Sequence, residues 1–416
     1  MLNCTKMSIP SQIINPRGIH ALDLVYRSGG ISRSDLGYRL GLNQTAIIRL
    51  VSRLVHAGLL TTEVQGTKQR GRPVEQIKVS PHSRYSIGLE FGRDHLIIVG
   101  LNALAQVEYH QIIDIPPLFE ATTTTLEKLV DEIYHFLSVH NIALNKVAAI
   151  GLALHDIVNA EGHWFVRDQV QPHPLNVVTE MEKHLSLKVI VEDVSRSFAF
   201  AEQRFGSAEN HKDVLYVFVG KDGVGGGIFL NGELLKSSSG ICGELGHLVV
   251  EPDGLQCHCG SQGCLETVAS HQAVIASYKD ILQQGVRSSI DELSFANICQ
   301  AALRGNKAAY LTLNRLASYM GNALGSVINI TGATRIVIGG QLNLAGMTFL
   351  QELEVILRKR VVTPLLQHLS IQYASLPPYA GAWGAGVLAL EASIKDGSFM
   401  SARVMDQKVQ ESSVHA

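Results

Sequence analysis

The chain has 416 residues, 46% of them hydrophobic and 17% charged, with a formal net charge of −2. That composition implies well-filled globular cores rather than disorder, while the length gives room for two to three domains. No run approaches the roughly 18 apolar residues of a membrane helix, no signal-peptide core is visible, and six cysteines do not make a disulfide scaffold, so no membrane insertion and a cytoplasmic location are expected.

The charge is unevenly spread. Residues 1–80 carry eleven basic side chains against four acidic ones, so +7 there leaves −9 on the remainder. This polarity points to an N-terminal module for a polyanion on an acidic body. Pro16 opens a helix to about Ser28, with apolar Ile19, Leu22, Leu24 and Val25; Gly29-Gly30 ends it, and Ser32 caps a second helix to about Leu40. After the turn Gly41-Leu42-Asn43, a third helix from about Gln44 to His56 buries Ile47, Val51 and Leu54 and leaves Thr45, Arg49, Ser52 and His56 on another face.

This order predicts a helix-turn-helix, and the segments 59–64 and 77–79 predict the strands of a wing around a basic tip, Gly66 to Pro73. Double-stranded operator DNA is the expected partner. Gln44, Thr45 and Arg49 are the candidates for base edges, Arg53 and Lys68 for phosphates, and Arg70 and Arg72 for the minor groove. The rival is a winged helix that docks another protein. One such module binds weakly, so a homodimer or dimer of dimers is expected on an inverted repeat with half-sites one or two helical turns apart.

From Tyr85 onward strand and helix patterns alternate. Residues 86–90, 95–100, 148–153, 187–191, 214–219 and 335–340 are candidate strands, and 270–330 is rich in helical pattern. The economical architecture is α/β, two lobes facing a cleft. Within the second half stands Gly243-Glu244-Leu245-Gly246-His247, followed by Cys257-His258-Cys259-Gly260-Ser261-Gln262-Gly263-Cys264-Leu265-Glu266. Cys257, Cys259 and Cys264 bring three sulfurs around a glycine turn, and His247 supplies the nitrogen of a tetrahedral Zn²⁺ site, with His258 as the alternative ligand. A closed set of four makes the zinc structural, one ion per chain. Glu244 and Glu266, held beside His247, are fixed acceptors suited to sugar hydroxyls.

This block resembles the ROK family of sugar kinases and sugar-responsive repressors, whose signature is a Glu-x-Gly-His element running into a Cys-x-Cys-Gly-x-x-Gly-Cys-Leu-Glu loop. The resemblance covers roughly residues 12 to 395, and helix-turn-helix plus zinc loop matches its repressor branch. It implies an actin-like, two-lobed body behind the winged helix-turn-helix of 1–82: a first lobe over 83–205 plus 380–396 and a second lobe over 206–379 with the zinc loop and the dimerisation surface; residues 397–416, polar and without period, are read as a disordered tail.

In that fold three glycine-rich turns hold ATP. Here they read Glu90-Phe91-Gly92-Arg93-Asp94 in place of Asp-x-Gly-Gly-Thr, Gly220-Lys221-Asp222-Gly223-Val224-Gly225-Gly226-Gly227 with an extra residue and an acid, and Gly339-Gly340-Gln341. An acid facing a phosphate costs on the order of a kcal/mol or more, so ATP binding is expected to be lost. The element Glu192-Asp193-Val194-Ser195, followed by Glu202, is similar to the family's Asn-Asp-Ala-Asn. The resemblance puts Asp193 where a kinase has the base on the sugar hydroxyl.

The expected effector residues are therefore Asp193, Glu244, His247 and Glu266, for a sugar or sugar phosphate. Glu202 is read as an ordinary surface carboxylate. Glu192 in place of asparagine, and Leu154-His155-Asp156-Ile157 in place of a Pro-Gly turn, depart from the family pattern. The function implied is a sugar-responsive transcriptional repressor of carbohydrate genes, not an enzyme. Its rivals are a sugar kinase that keeps a DNA-binding module and a regulator controlled by a phosphotransferase-system protein.

Overall fold

The computed structural model describes residues 15–65, 74–92, 94–115, 123–159, 161–165, 175–221, 223–288 and 290–401. Lys68, Arg70 and Arg72 of the expected wing tip, Arg93, Asp222 and residues 402–416 of the expected tail lie outside them.

The N-terminal segment forms α1 (Pro16–Ser28), β1 (Ile31–Ser32), α2 (Arg33–Leu40), α3 (Gln44–His56), β2 (Leu60–Gln65) and β3 (Val74–Val79). Each helix starts on a side-chain cap: Asn15, Ser32 and Asn43 accept from Gly18, Asp35 and Ala46 N–H respectively. Gly29 and Gly41, both left-handed, end the first two. Leu22 and Val25 of α1, Leu36 of α2, and Ile47, Val51 and Leu54 of α3 are buried together with Ile77 of β3. β3 pairs antiparallel with β2 and, on its other side, with the two residues of β1, a pairing not foreseen from sequence.

The rest of the chain is organised as β4 (Tyr85–Phe91), β5 (His95–Asn102), β6 (Val107–Asp114), α4 (Thr123–Val139), β7 (Val147–Leu154), β8 (Ile157–Val158), β9 (Trp164–Phe165), α5 (Val177–Leu185), β10 (Lys188–Asp193), α6 (Val194–Phe205), β11 (Val214–Val219), β12 (Val224–Leu230) and β13 (Glu233–Leu234). It continues through α7 (Glu266–Ala269), α8 (His271–Gln283), α9 (Phe295–Leu303), α10 (Lys307–Thr331), β14 (Arg335–Gly340), α11 (Gly346–Leu357), α12 (Thr363–Leu366), β15 (Ser370–Tyr373) and α13 (Ala380–Asp396).

Two compact units result. The first holds residues 1–153, 177–191 and 385–416 and contains the N-terminal elements and a five-stranded sheet in the order β10-β7-β4-β5-β6. The second holds 154–176 and 192–384, with a mixed sheet in the order β13-β12-β11-β14-β15. In it β11 runs parallel to β14 and antiparallel to β12. Its core lies between β11 and β14 and the helices α8 to α11, around Leu215, Ile336, Ile338, Leu316, Met320 and Leu353.

Three expectations change here. Residues 154–176, 192–205 and 380–384 belong with the second unit, not the first, and α6 packs on β12. The run Gly225-Gly226-Gly227, expected as a phosphate turn, lies inside β12 and makes that packing possible: a Cβ on Gly225 would meet Ser195 Oγ at 1.9 Å, and one on Gly227 would meet Ala199 Cβ at 2.4 Å. The first residues of the expected tail also prove to be ordered. Ser398–Met400 form a 3-10 turn with Phe399 and Met400 fully buried, and Gly397 lies against Ile19 of α1.

Candidate ligand pocket and metal centre

Asp193 stands where β10 ends and α6 begins. Its Oδ1 accepts from the N–H groups of Ser195 (2.8 Å) and Arg196 (3.0 Å), so the expected sugar-binding aspartate is also the N-cap of α6. Burial raises its pKa, against the opposing charge of Arg196. The preceding Glu192 is buried, and its Oε1 accepts from Asp193 N–H (3.0 Å) and from Nε and a terminal nitrogen of Arg196 (2.7 and 2.6 Å). Arg196 also donates to the Cys242 carbonyl at 3.0 Å, tying the segment that leads into Glu244 onto the start of α6. Lys236 Nζ lies 3.7 Å from the other oxygen of Glu192.

Arg196 and Lys236 are the residues that sequence reading missed. Arg196 follows Glu192 by four, an acid-to-base spacing that was readable. Glu192 is thus a clamp on Arg196, where the family pattern has an amide.

Glu244 is pushed up to about 7 by burial, with the negative charge of Asp193 adding to the effect and Glu266 adding further. Glu266 Oε1 takes hydrogen bonds from the Cys257 thiol (3.1 Å) and pairs with His258 Nδ1 (2.7 Å). Burial would raise its pKa, but the bonds from His258 and Cys257 outweigh it and leave it lowered. The four expected effector residues therefore come from one unit and feel one another's charge.

The loop between His247 and Glu266 is closed by Gly263. Its φ is +69°, it receives Val250 N–H on its carbonyl, and a Cβ there would lie 1.6 Å from the Glu251 carbonyl oxygen. The closure brings His247 Nδ1 to 3.6 Å from Cys257 Sγ and Cys259 Sγ to 3.7 Å from Cys264 Sγ. One ligand atom from each of these four residues lies within 4.8 Å of every other, a set that could hold a metal ion. His258 is held by Glu266 and stands 3.9 Å from Cys257 Sγ; with His247 and Glu266 it makes a second convergent set that shares His247. Burial pushes the Cys257 and Cys264 thiols up.

On α3, Gln44, Thr45, Arg49 and Arg53 are all exposed. All four carboxylates of the N-terminal segment are engaged elsewhere: Asp23 with Arg27, Glu75 with Arg33, Glu63 with Lys78, and Asp35 with Ser32. Among the described residues none of them reaches Arg49 or Arg53.

Glu202 is not a surface carboxylate. It is 1% exposed and accepts from Ser207 N–H (2.7 Å), Ser375 N–H and Leu376 N–H (2.8 Å each), joining the end of α6 to the segment before α13. In the first expected nucleotide turn, the His95 ring covers Gly92, where a Cβ would meet it at 2.5 Å; Nδ1 is 2.8 Å from Asp94 Oδ1 and Nε2 3.6 Å from Glu90 Oε1. Asp156 Oδ2 accepts from Trp164 Nε1 at 3.0 Å.

The sequence model described as "ROK family" matches residues 86–392. The N-acetylglucosamine repressor of Escherichia coli O157:H7 is 28% identical over 359 residues, 85% of this chain and 87% of that one. The DNA-binding transcriptional repressor Mlc of Escherichia coli K12 is 26% identical over 389 residues, 90% and 92% of the two chains. Among solved structures, a ROK family transcriptional regulator described as a homologue of the Escherichia coli MLC protein aligns with TM-score 0.78 and 29% identity over 92% of this chain and 98% of its own. A ROK family glucokinase from Streptomyces griseus, solved with glucose and AMPPNP, aligns with TM-score 0.61 and 25% identity, covering 99% of itself and 73% of this chain.

Proposed function

Because this chain belongs to the ROK family, with its actin-like fold of mixed α/β sheets, we propose that it is a sugar-responsive transcriptional repressor. The observation that carries this reading is the difference in coverage. The regulator aligns with 92% of the chain, whereas the glucokinase is used up at 73%. A kinase thus has no counterpart for about a quarter of the chain, and residues 15–80 supply a helical segment whose third helix exposes Arg49 and Arg53. As a winged helix-turn-helix this segment reads operator DNA, with α3 in the major groove and Gln44, Thr45 and Arg49 toward the bases. Lys68, Arg70 and Arg72, outside the described residues, are the candidates for phosphate and minor-groove contacts, and a homodimer sets the spacing of two such heads.

The sugar, or sugar phosphate, is held by Asp193, Glu244, His247 and Glu266. Carboxylates accept strongly from ligand hydroxyls, and the Glu192–Arg196 clamp keeps Asp193 and the Glu244 segment in register. Binding regulates only as far as the ligand prefers one conformation; a 100-fold preference supplies about 2.7 kcal/mol.

The four-residue set fits zinc. With bonds of about 2.3 Å to sulfur and 2.0 Å to nitrogen, a tetrahedron has sulfur–sulfur edges of about 3.8 Å and sulfur–nitrogen edges of about 3.5 Å, close to the 3.7 and 3.6 Å found. Such an ion, held by His247, Cys257, Cys259 and Cys264, would brace the loop between Glu244 and Glu266 without an open position for chemistry.

The kinase reading is favoured by the glucokinase alignment and opposed by the imidazole over Gly92, by Asp94 beside it, and by the glycine run being a strand. The test is a mobility shift at moderate salt on the DNA upstream of the chain's own gene and its neighbours, with and without a panel of hexoses, pentoses, amino sugars and their phosphates. Specific binding that one sugar alters supports the repressor. ATP-dependent phosphorylation of a panel sugar, abolished by Asp193→Asn, would replace it with the kinase.

A further inference from the structure

The outward stripe of α3 contains a residue that neither core packing nor charge explains. Ile47 does the core work, 3% exposed and packed on Gly37 of α2. Consecutive helical residues point about 100° apart, and Ile48 is left 41% exposed. An exposed β-branched side chain is a poor choice for a helix surface, since it lowers helix propensity and leaves apolar area in water. Its neighbours on the stripe are Gln44 four residues before and Ser52 four after, with Thr45 and Arg49 alongside, all exposed. No acidic residue occurs anywhere in α3.

A stripe of amide, hydroxyls and guanidinium with Ile48 at its centre, and the less exposed Val55 (36%) seven residues on towards the helix end, has a match on DNA. The major-groove edges offer hydrogen-bond donors, acceptors and a single apolar feature, the 5-methyl group of thymine. We propose that Ile48 is a specificity-determining residue that packs against a thymine methyl in each operator half-site. The inference rests on the DNA-reading role of α3 and adds to it a base preference that the hydrogen-bonding candidates Gln44, Thr45 and Arg49 do not carry.

The experiment keeps the two apart. Full-length protein selects its operator from a random-sequence duplex library, and each thymine of the selected site is then replaced singly by deoxyuridine, which removes only the methyl. Affinities are measured at fixed salt for wild type, Ile48→Ala and Ile48→Val. One thymine per half-site should lose about 3- to 10-fold in affinity for the wild type on replacement. Ile48→Ala should bind the thymine operator about as weakly and show no further loss with deoxyuridine at that position; Ile48→Val should fall between.

Because the side chain is exposed, both variants should unfold at the wild-type temperature, and Ile48→Val serves if the alanine variant does not. Equal deoxyuridine sensitivity in wild type and variants, or none at any thymine, overturns the proposal while leaving DNA binding intact. An Ile48→Ala variant that changes only the oligomeric state overturns it too, and assigns the residue to contact between copies. Failure to enrich any sequence sinks the DNA-reading role itself.

Discussion

Replacing Asp193 by asparagine separates two tasks that one side chain performs. Its Oδ1 caps α6 through the N–H groups of Ser195 and Arg196, and asparagine caps as well as aspartate does, so stability should stay within roughly 0.5 kcal/mol of wild type. Alanine removes the cap and leaves those two N–H groups without their acceptor, a loss of about 1–2 kcal/mol. Ligand binding should respond in the opposite pattern. A sugar hydroxyl that donates to a charged acceptor loses about 1.5–3 kcal/mol when the charge is removed, which is roughly 10- to 150-fold in affinity. Urea unfolding measures the first quantity and calorimetric titration with the responsive sugar the second. An Asp193→Asn protein that is fully folded and binds sugar within twofold of wild type would refute the placement of the ligand at Asp193. An asparagine variant as unstable as the alanine one would refute the separation of tasks.

Glu202→Ala strips a charged acceptor from three backbone N–H groups and should cost about 3–5 kcal/mol in urea unfolding; a cost under 1 kcal/mol would mean the carboxylate does not hold those segments. Metal analysis of purified protein should find about one zinc per chain, and Cys257→Ser/Cys259→Ser should lose both the metal and several degrees of thermal stability. Hydrogen bonding to Glu90, opposed by burial and helped by Asp94, raises His95 to about 9. Its protonated form therefore stabilises the fold fully below about pH 6.5, and the contribution fades as pH rises through about 9. Solvent screening of the half-buried ring holds it to about 1–2 kcal/mol. Urea midpoints at pH 6.5 and 9.5 should differ in the wild type more than in His95→Gln, and equal differences would dismiss the pairing.

Local signals made much of the molecule legible. Ile47, Val51 and Leu54 repeat at helical spacing behind an Asn43 cap, so α3 could be placed to the residue. The cysteine spacing and His247 could be read as a metal set because the chemistry needs few residues close in sequence. The Gly225–Gly227 strand could not, because glycine carries no strand propensity; its ladder with β11 makes it a strand, and the close approach of α6, a contact decided by packing, is what requires glycine there. Glu202 was misread for a similar reason. Its partners Ser375 and Leu376 lie 173 and 174 residues further along the chain, and nothing near Glu202 announces them. The Glu192–Arg196 clamp was within reach of the i, i+4 rule; its second attachment, the Cys242 carbonyl, was not.

The turn after α13 bears on how the molecule can be dissected. With Gly397 against Ile19 and with Phe399 and Met400 shut away from water, the stretch that completes the surroundings of α1 is translated long after α1 itself. A clone of the first eighty residues would lack it. A nascent chain leaving the ribosome would hold a head still missing a piece of its cover until that turn has emerged. Purification handles are better fused beyond residue 401 than substituted for the residues before it.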